Sequence, residues 1–186
     1  MSRELELLNP LPEEHPGLKP DCERCCGLCC VAPAFSVSRD FALDKGSEEP
    51  CPNLTKAFRC SIHDRLRVEG FRGCVAYDCF GAGQKVTQVT FNGQDWRRSP
   101  QIAAQMFEVY GVMRQLHALL VYLSQALTLQ PARPLYGELR RALEELEGYS
   151  RGSPDALLSL NLASHKAEVN DLLHRVSDLV RANPSL

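Results

Sequence analysis

The chain has 186 residues, 44% of them hydrophobic and 24% charged, enough apolar content for one domain or two small ones and too much for disorder throughout. Lysine and arginine total 21 against 23 aspartate and glutamate, and the formal charge of −2 gives no chain-wide attraction to nucleic acid or an anionic membrane. No apolar run approaches the roughly 20 residues that span a bilayer. The segment Met1 to Pro20 carries four Glu and four Pro where a signal peptide has a basic flank and an apolar stretch, so the expectation is a soluble, cytoplasmic protein without a membrane partner.

In chain order, residues 1–20 are expected to form an extended leader, because Pro10, Pro12, Pro16 and Pro20 remove donors and disfavour helix at each preceding residue. Residues 21–96 form a cysteine-rich module in which glycine and proline leave no room for a long regular element. The stretch Gln84 to Phe91 is ambiguous, since Val86, Thr87, Val89 and Thr90 suit a strand while Val86 and Val89 can share a helix face; helix is the reading adopted. Residues 97–186 read as a helical bundle. Ile102, Met106, Val109, Met113, Leu116, Leu120 and Leu123 recur at three- and four-residue steps, predicting an amphipathic helix from about Pro100 to Leu127, capped by Ser99. A second helix runs through Leu135, Leu139, Leu143 and Leu146 to Gly148, and a third opens at Ser153-Pro154. The predicted fold is mainly α: a small irregular cysteine-rich metal module packed on an antiparallel helical bundle that buries Met106, Met113, Leu120 and Leu172.

The chemistry is concentrated in the module. All nine cysteines fall between Cys22 and Cys79, in the order Cys22, Cys25, Cys26, Cys29, Cys30, Cys51, Cys60, Cys74 and Cys79. In a reducing compartment clustered thiols bind metal or do redox work more often than they form structural disulfides. A Cys-x2-Cys step lets two thiolates converge on one ion across a tight turn; four sulfurs suit zinc, and the same ligands hold iron or iron–sulfur clusters. The count allows two sites, with adjacent cysteines such as Cys29 and Cys30 serving different ions or one of them remaining a buried thiol. A zinc ion held by four thiolates is a dianion, so cations are expected nearby, and Arg24, Arg59, Arg65, Arg67 and Arg72 are the candidates.

These residues resemble a known family. The run Cys22-x2-Cys25-x3-Cys29-Cys30, then Pro50-Cys51-Pro52-Asn53-Leu54, Cys60-Ser61-Ile62-His63-Asp64, Cys74 and Cys79 is similar to the YkgJ-like cysteine-cluster proteins, described as zinc- or iron-chelating domains. The resemblance covers about Cys22 to Gly83. It implies that Cys22, Cys25, Cys29, Cys30, Cys51, Cys60, Cys74 and Cys79 are metal ligands and that Cys26 is an extra cysteine. Residues Cys22 through Trp96, especially Phe80-Gly81-Ala82-Gly83-Gln84, also resemble the leading segment of some actinobacterial pentapeptide-repeat proteins, whose repeats this chain lacks. Relatives in the family include flagellin lysine-N-methylases, but no glycine-rich cofactor loop following a strand supports methyl transfer here.

Other residues carry less. His63, three positions after Cys60, has the spacing of a fourth ligand and also reads as a plain surface histidine. His117, His165 and His174 lack metal-binding spacing and read as ordinary helix residues. Cys26 is a reactive thiol if exposed beside Arg24 and otherwise a buried one. Trp96 and Phe91 fall where module meets bundle and are expected to form that seam. Gly81 and Gly83 lack the rest of a phosphate-binding motif and are expected to turn the chain after Cys79. Three functions follow as expectations: a zinc- or iron-binding module whose metal is mainly structural and whose partner is a protein or small molecule; an iron-dependent or iron–sulfur enzyme near Cys29-Cys30, His63 or Tyr77; and a thiol redox sensor.

Overall fold

A computed structural model describes residues 16–183. Among them the regular elements are helices, and the β-type pairing consists of two isolated antiparallel bridges, Phe35 to Lys45 and Leu54 to Cys60. The expected mainly α architecture with an irregular cysteine-rich region is what the chain adopts. No helix among the described residues is long and apolar enough to cross a membrane.

The cysteine-bearing segment holds only single turns and the short helix α1, Arg72–Ala76. It is followed by α2, Ala82–Gln84, which continues into a π-helical stretch, Lys85–Thr90, so the ambiguous segment is helical and buries Val86 and Thr87. A π stretch widens the helix by one residue per turn. Thr87 uses the wider turn to donate its hydroxyl to the Gly83 carbonyl at 2.8 Å while accepting the Cys26 N–H at 3.2 Å.

The long helix α3, Ala103–Ala126, begins where expected, after a 3₁₀ turn at Pro100–Ile102. Ser99 makes no side-chain cap; it supplies its carbonyl to Ile102 N–H, and Asp95 instead accepts from the N–H groups of Arg97 and Arg98. The expected single apolar stripe broadens in the structure. Met106, Val109, Met113, Leu116 and Leu123 are fully buried, and so are most of their neighbours on other faces, because α2 and the module cover one side of α3 while later helices cover the other. Helix α4, Tyr136–Tyr149, buries Leu139, Leu143 and Leu146. The expected third helix is two: α5, Pro154–Leu158, capped by Ser153, and α6, Leu162–Ala182, capped by Asn161, whose side chain accepts Ser164 N–H. The break follows from that second cap.

The main core does not stop at residue 96. Leu18, Cys26, Leu28, Val31, Phe80, Ala82 and Val86 belong to the same buried cluster as the faces of α3, α4 and α6. Of the expected extended leader, Met1 to His15 lies outside the described residues; Pro16–Leu18 is a 3₁₀ turn whose Leu18 is buried, and the Gln84 amide donates to the Lys19 carbonyl at 2.6 Å. A smaller second core of Ile62, Leu66 and Phe71 lies within the module, with Phe35 and Phe41 stacked against it.

His117 is not the ordinary helix residue its sequence context suggests. It is 4% exposed, and its Nδ1–H donates to the Phe80 carbonyl at 2.6 Å, tying α3 to the chain just after Cys79. Burial holds its pKa down at about 4, so the folded protein keeps the ring neutral where the unfolded chain, near 6.5, protonates it. The unfolded state binds more protons between those values, and stability falls as pH drops from about 6.5 to about 4. The expected loss is on the order of 3 kcal/mol. Denaturant titrations at pH 7 and pH 4.5 check this: His117→Asn, which keeps a donor to Phe80, should show a flatter dependence.

Candidate metal centre

All nine cysteines are free thiols. Eight of them, Cys22, Cys25, Cys29, Cys30, Cys51, Cys60, Cys74 and Cys79, line one cavity of about 710 Å³; these are the eight that the family resemblance singles out. Cys26 faces the other way. It is 2% exposed, with its sulfur 3.3 Å from the Thr87 hydroxyl and 3.7 Å from the Met106 sulfur, and burial pushes its thiol pKa up to about 11. It is a core thiol, not a reactive one.

The backbone sorts the eight into two groups. Cys51 N–H donates to the Cys30 carbonyl at 2.9 Å, Leu54 returns to the Cys51 carbonyl and bridges to Cys60, and Cys60 and Cys74 both pack on the Ile62, Leu66 and Phe71 core. This inner quartet is Cys30, Cys51, Cys60 and Cys74, and the Cys74 thiol, raised to about 11 by burial first, is raised further by the charges of the other three. The other four, Cys22, Cys25, Cys29 and Cys79, make the outer quartet: beyond its hydrogen bond with Cys30 and its burial, Cys29 is raised by the charges of Cys30, Cys25 and Cys79, and Cys25, raised by burial first, is raised further by Cys22. Cys25 N–H reaches the Cys22 carbonyl at 3.3 Å, and the Cys25 sulfur lies against Gly83, four residues past Cys79. The quartets meet where the Cys29 and Cys30 sulfurs stand 3.9 Å apart, nearly twice a disulfide bond length. Of this pair Cys30 is held below the usual thiol pKa, first by its hydrogen bond with Cys29 and also by the charge of Lys45, while Cys29 is raised.

Several sulfurs accept backbone N–H groups from the turn that follows them: Cys25 from Gly27 and Leu28, Cys51 from Asn53, Cys60 from Ile62, and Cys79 from Gly81 and Gly83. Such bonds favour the thiolate over the thiol and aim the sulfur into the cavity. Burial opposes them and leaves the pKa of each of these four raised. Among the described residues no three Cys, His, Asp or Glu side chains already stand close enough together to enclose an ion. The sulfurs lie on the cavity walls, and zinc–sulfur bonds of about 2.3 Å require the walls to close.

Glycine permits the turn after Cys79. Gly81 has φ of +74°, in the region that favours glycine, and a Cβ there would lie against the Gly17 carbonyl oxygen. At Gly83 a Cβ would fall 2.6 Å from the Cys25 sulfur. Gly83→Ala is therefore expected to displace Cys25, weakening metal binding at the outer quartet about tenfold or more and leaving the inner quartet unaffected. Chelator competition on the variant checks this.

Two of the arginines expected to offset the sulfur charge have protein partners. Arg59 lines the cavity but donates to the Phe58 carbonyl, and Arg65 pairs with Asp64 and Glu69. The positive charge felt by Cys30 and Cys51 is that of Lys45, which sequence reasoning missed because a lone lysine outside the cysteine phrases carries no spacing signal. His63 is exposed and lines the cavity. Tyr77 also lines it, its hydroxyl 2.6 Å from that of Tyr110, and burial pushes its pKa up to about 12. Trp96 forms the expected seam: its indole N–H donates to the Cys26 carbonyl at 2.9 Å, and its ring makes edge contacts with Phe58 on one side and Phe107 on the other.

No family model matches the chain, and no solved structure matches it. A Bacillus subtilis (strain 168) protein named "Uncharacterized protein YybG" is 50% identical over 182 residues, which make up 98% of this chain and 64% of that protein. The chain thus spans less than two thirds of the relative's length, with the cysteine region and the helical bundle both inside the matched stretch.

Proposed function

We propose that the chain is a metal-binding cysteine-cluster protein of the YkgJ-like kind, taking two ions, zinc by preference and iron as the alternative, one in each cysteine quartet. The observation that carries this reading is the convergence of eight of nine cysteines, from four separate stretches of sequence, on the walls of one cavity while the ninth is packed into the core. Thiol ligands in sets of four match the donor chemistry of structural zinc. The role of the metal is to hold a loop-rich segment in one shape, and the shaped segment acts as a binding or regulatory module for a protein or small molecule.

Elemental analysis of protein purified without added metal tests it. Two ions per chain, each with four sulfur neighbours by X-ray absorption, is the expected result. Metal-free protein that takes up neither zinc nor iron, or one whose eight cysteines pair as disulfides, overturns it.

A second reading is an iron-dependent or iron–sulfur enzyme. It is favoured by the size of the cavity, about 710 Å³, and by the presence on its walls of His63, Tyr77 and the aromatic rings of Phe35, Phe41 and Phe58, which give room and surface for a substrate beside the sulfurs. Coloured protein containing iron with an open coordination position selects this reading over the first.

A further inference from the structure

Lys45 is 5% exposed, and among the described residues it alone of the lysines and arginines is buried. Its three N–H groups are all used, on the carbonyls of Val31 at 3.0 Å, Gly46 at 2.8 Å and Glu49 at 2.9 Å. Val31 follows Cys30 directly and Glu49 stands two residues before Cys51, so the ammonium staples together the two strands of chain that carry those ligands. Among the described residues no carboxylate lies within 4.0 Å of it. A buried ammonium without a paired anion is costly. The negative charges that answer it are first those of the Cys51 and Cys30 sulfurs and then that of the Glu49 carboxylate.

The outer quartet is open at one ligand. Cys22 is the one exposed cysteine, in a single 3₁₀ turn, Cys22–Arg24, and the cation that lies on the chain flanking Cys79, Arg114, is engaged by the Asp78 carbonyl at 3.3 Å and by the rings of Tyr77 and Phe80. A dianionic metal site with one ligand open to water loses ligands more readily than one facing a fixed, buried cation.

We propose that Lys45 makes the two sites unequal, retaining the inner ion as a fixed part of the fold and leaving the outer ion, ligated through Cys22, as the one that exchanges with thiol or chelator acceptors in the surroundings. This rests on the two-ion reading above. Lys45 acts as a positioning residue, by its field and by the carbonyls it gathers, since it has no proton left to give to a sulfur.

The test loads the full chain with zinc and follows release to a chromophoric chelator. Two phases of one ion each are expected, with the fast phase lost in Cys22→Ser. Lys45→Met should speed the slow phase by about tenfold or more, within the range that outer partners of metal ligands command, and leave the fast phase unchanged. Lys45→Arg, which keeps the charge, should restore part of the slow phase; a purely packing role would not distinguish these two variants. In case Lys45→Met does not fold, cadmium-113 NMR of the unaltered protein gives an independent reading: of two resonances, only one should exchange with added cadmium. Single-phase release of two ions from the unaltered protein, two resonances that exchange alike, or equal acceleration of both ions in Lys45→Met overturns this inference alone. A chain that binds no metal overturns the two-ion reading and this inference with it.

Discussion

Chelation should melt the segment from Cys22 to Cys79 and leave α3, α4, α5 and α6 folded. Helix α3 packs directly on α4, α5 and α6, with Leu116, Leu123, Leu139, Leu146 and Leu157 all buried to within 2%. Beyond Cys26, Leu28 and Val31, which it lends to the main core, the module has only α1, single turns and the small core of Ile62, Leu66 and Phe71 to hold nearly sixty residues in place. That core is too small to offset the chain entropy of so much irregular backbone. A structural zinc site contributes on the order of 10 kcal/mol or more, which is what such a segment lacks without metal. Limited proteolysis with mass spectrometry, run beside far-ultraviolet circular dichroism, checks the outcome: cleavage appears between Cys22 and Cys79 while most of the helical signal survives. Continued protease resistance in the cysteine segment after verified metal removal would contradict it.

The second large effect belongs to Cys30. It is an inner-quartet ligand candidate, it shares a hydrogen bond with Cys29 of the outer quartet, and its carbonyl receives Cys51 N–H. Cys30→Ser is expected to remove the inner ion outright and to loosen the outer one by about tenfold, because Cys29 loses the partner that orients it. Cys26→Ser is the control. Its oxygen can still bond to Thr87, so both ions should remain and the stability cost should stay within about 1–2 kcal/mol. Metal content and midpoint of unfolding, measured on the two purified variants, separate the outcomes. Equal loss of metal from both would show that the division between cavity sulfurs and core sulfur is wrong.

The sequence was legible where a physical pattern repeats. Helical periodicity located α3 and α4 closely, and the clustering of cysteines identified the segment that carries the cavity. It was less legible where a single residue decides. Asn161 split the last helix because its side chain caps a new start inside an otherwise continuous apolar pattern. His117 read as an ordinary helix residue among scattered histidines, yet a carbonyl supplied by Phe80, 37 residues away, makes its burial tolerable. Lys45 could be recognised only after folding brought three carbonyls and two thiols around it. The assignment of cysteines to quartets was also beyond the spacing, since the adjacent pair Cys29-Cys30 divides between groups in a way that depends on the Cys30–Cys51 contact. The expected boundary near residue 96 separates two compositions, while the buried cluster runs across it.

The chain has one tryptophan, and it sits with its indole N–H on the Cys26 carbonyl between an aromatic ring of each half. Its emission colour is thus an intrinsic gauge of whether the two halves remain docked, free of extrinsic dyes or labels. A red shift on acidification or oxidation would time the parting of the halves in a stopped-flow cuvette, separately from any loss of helix.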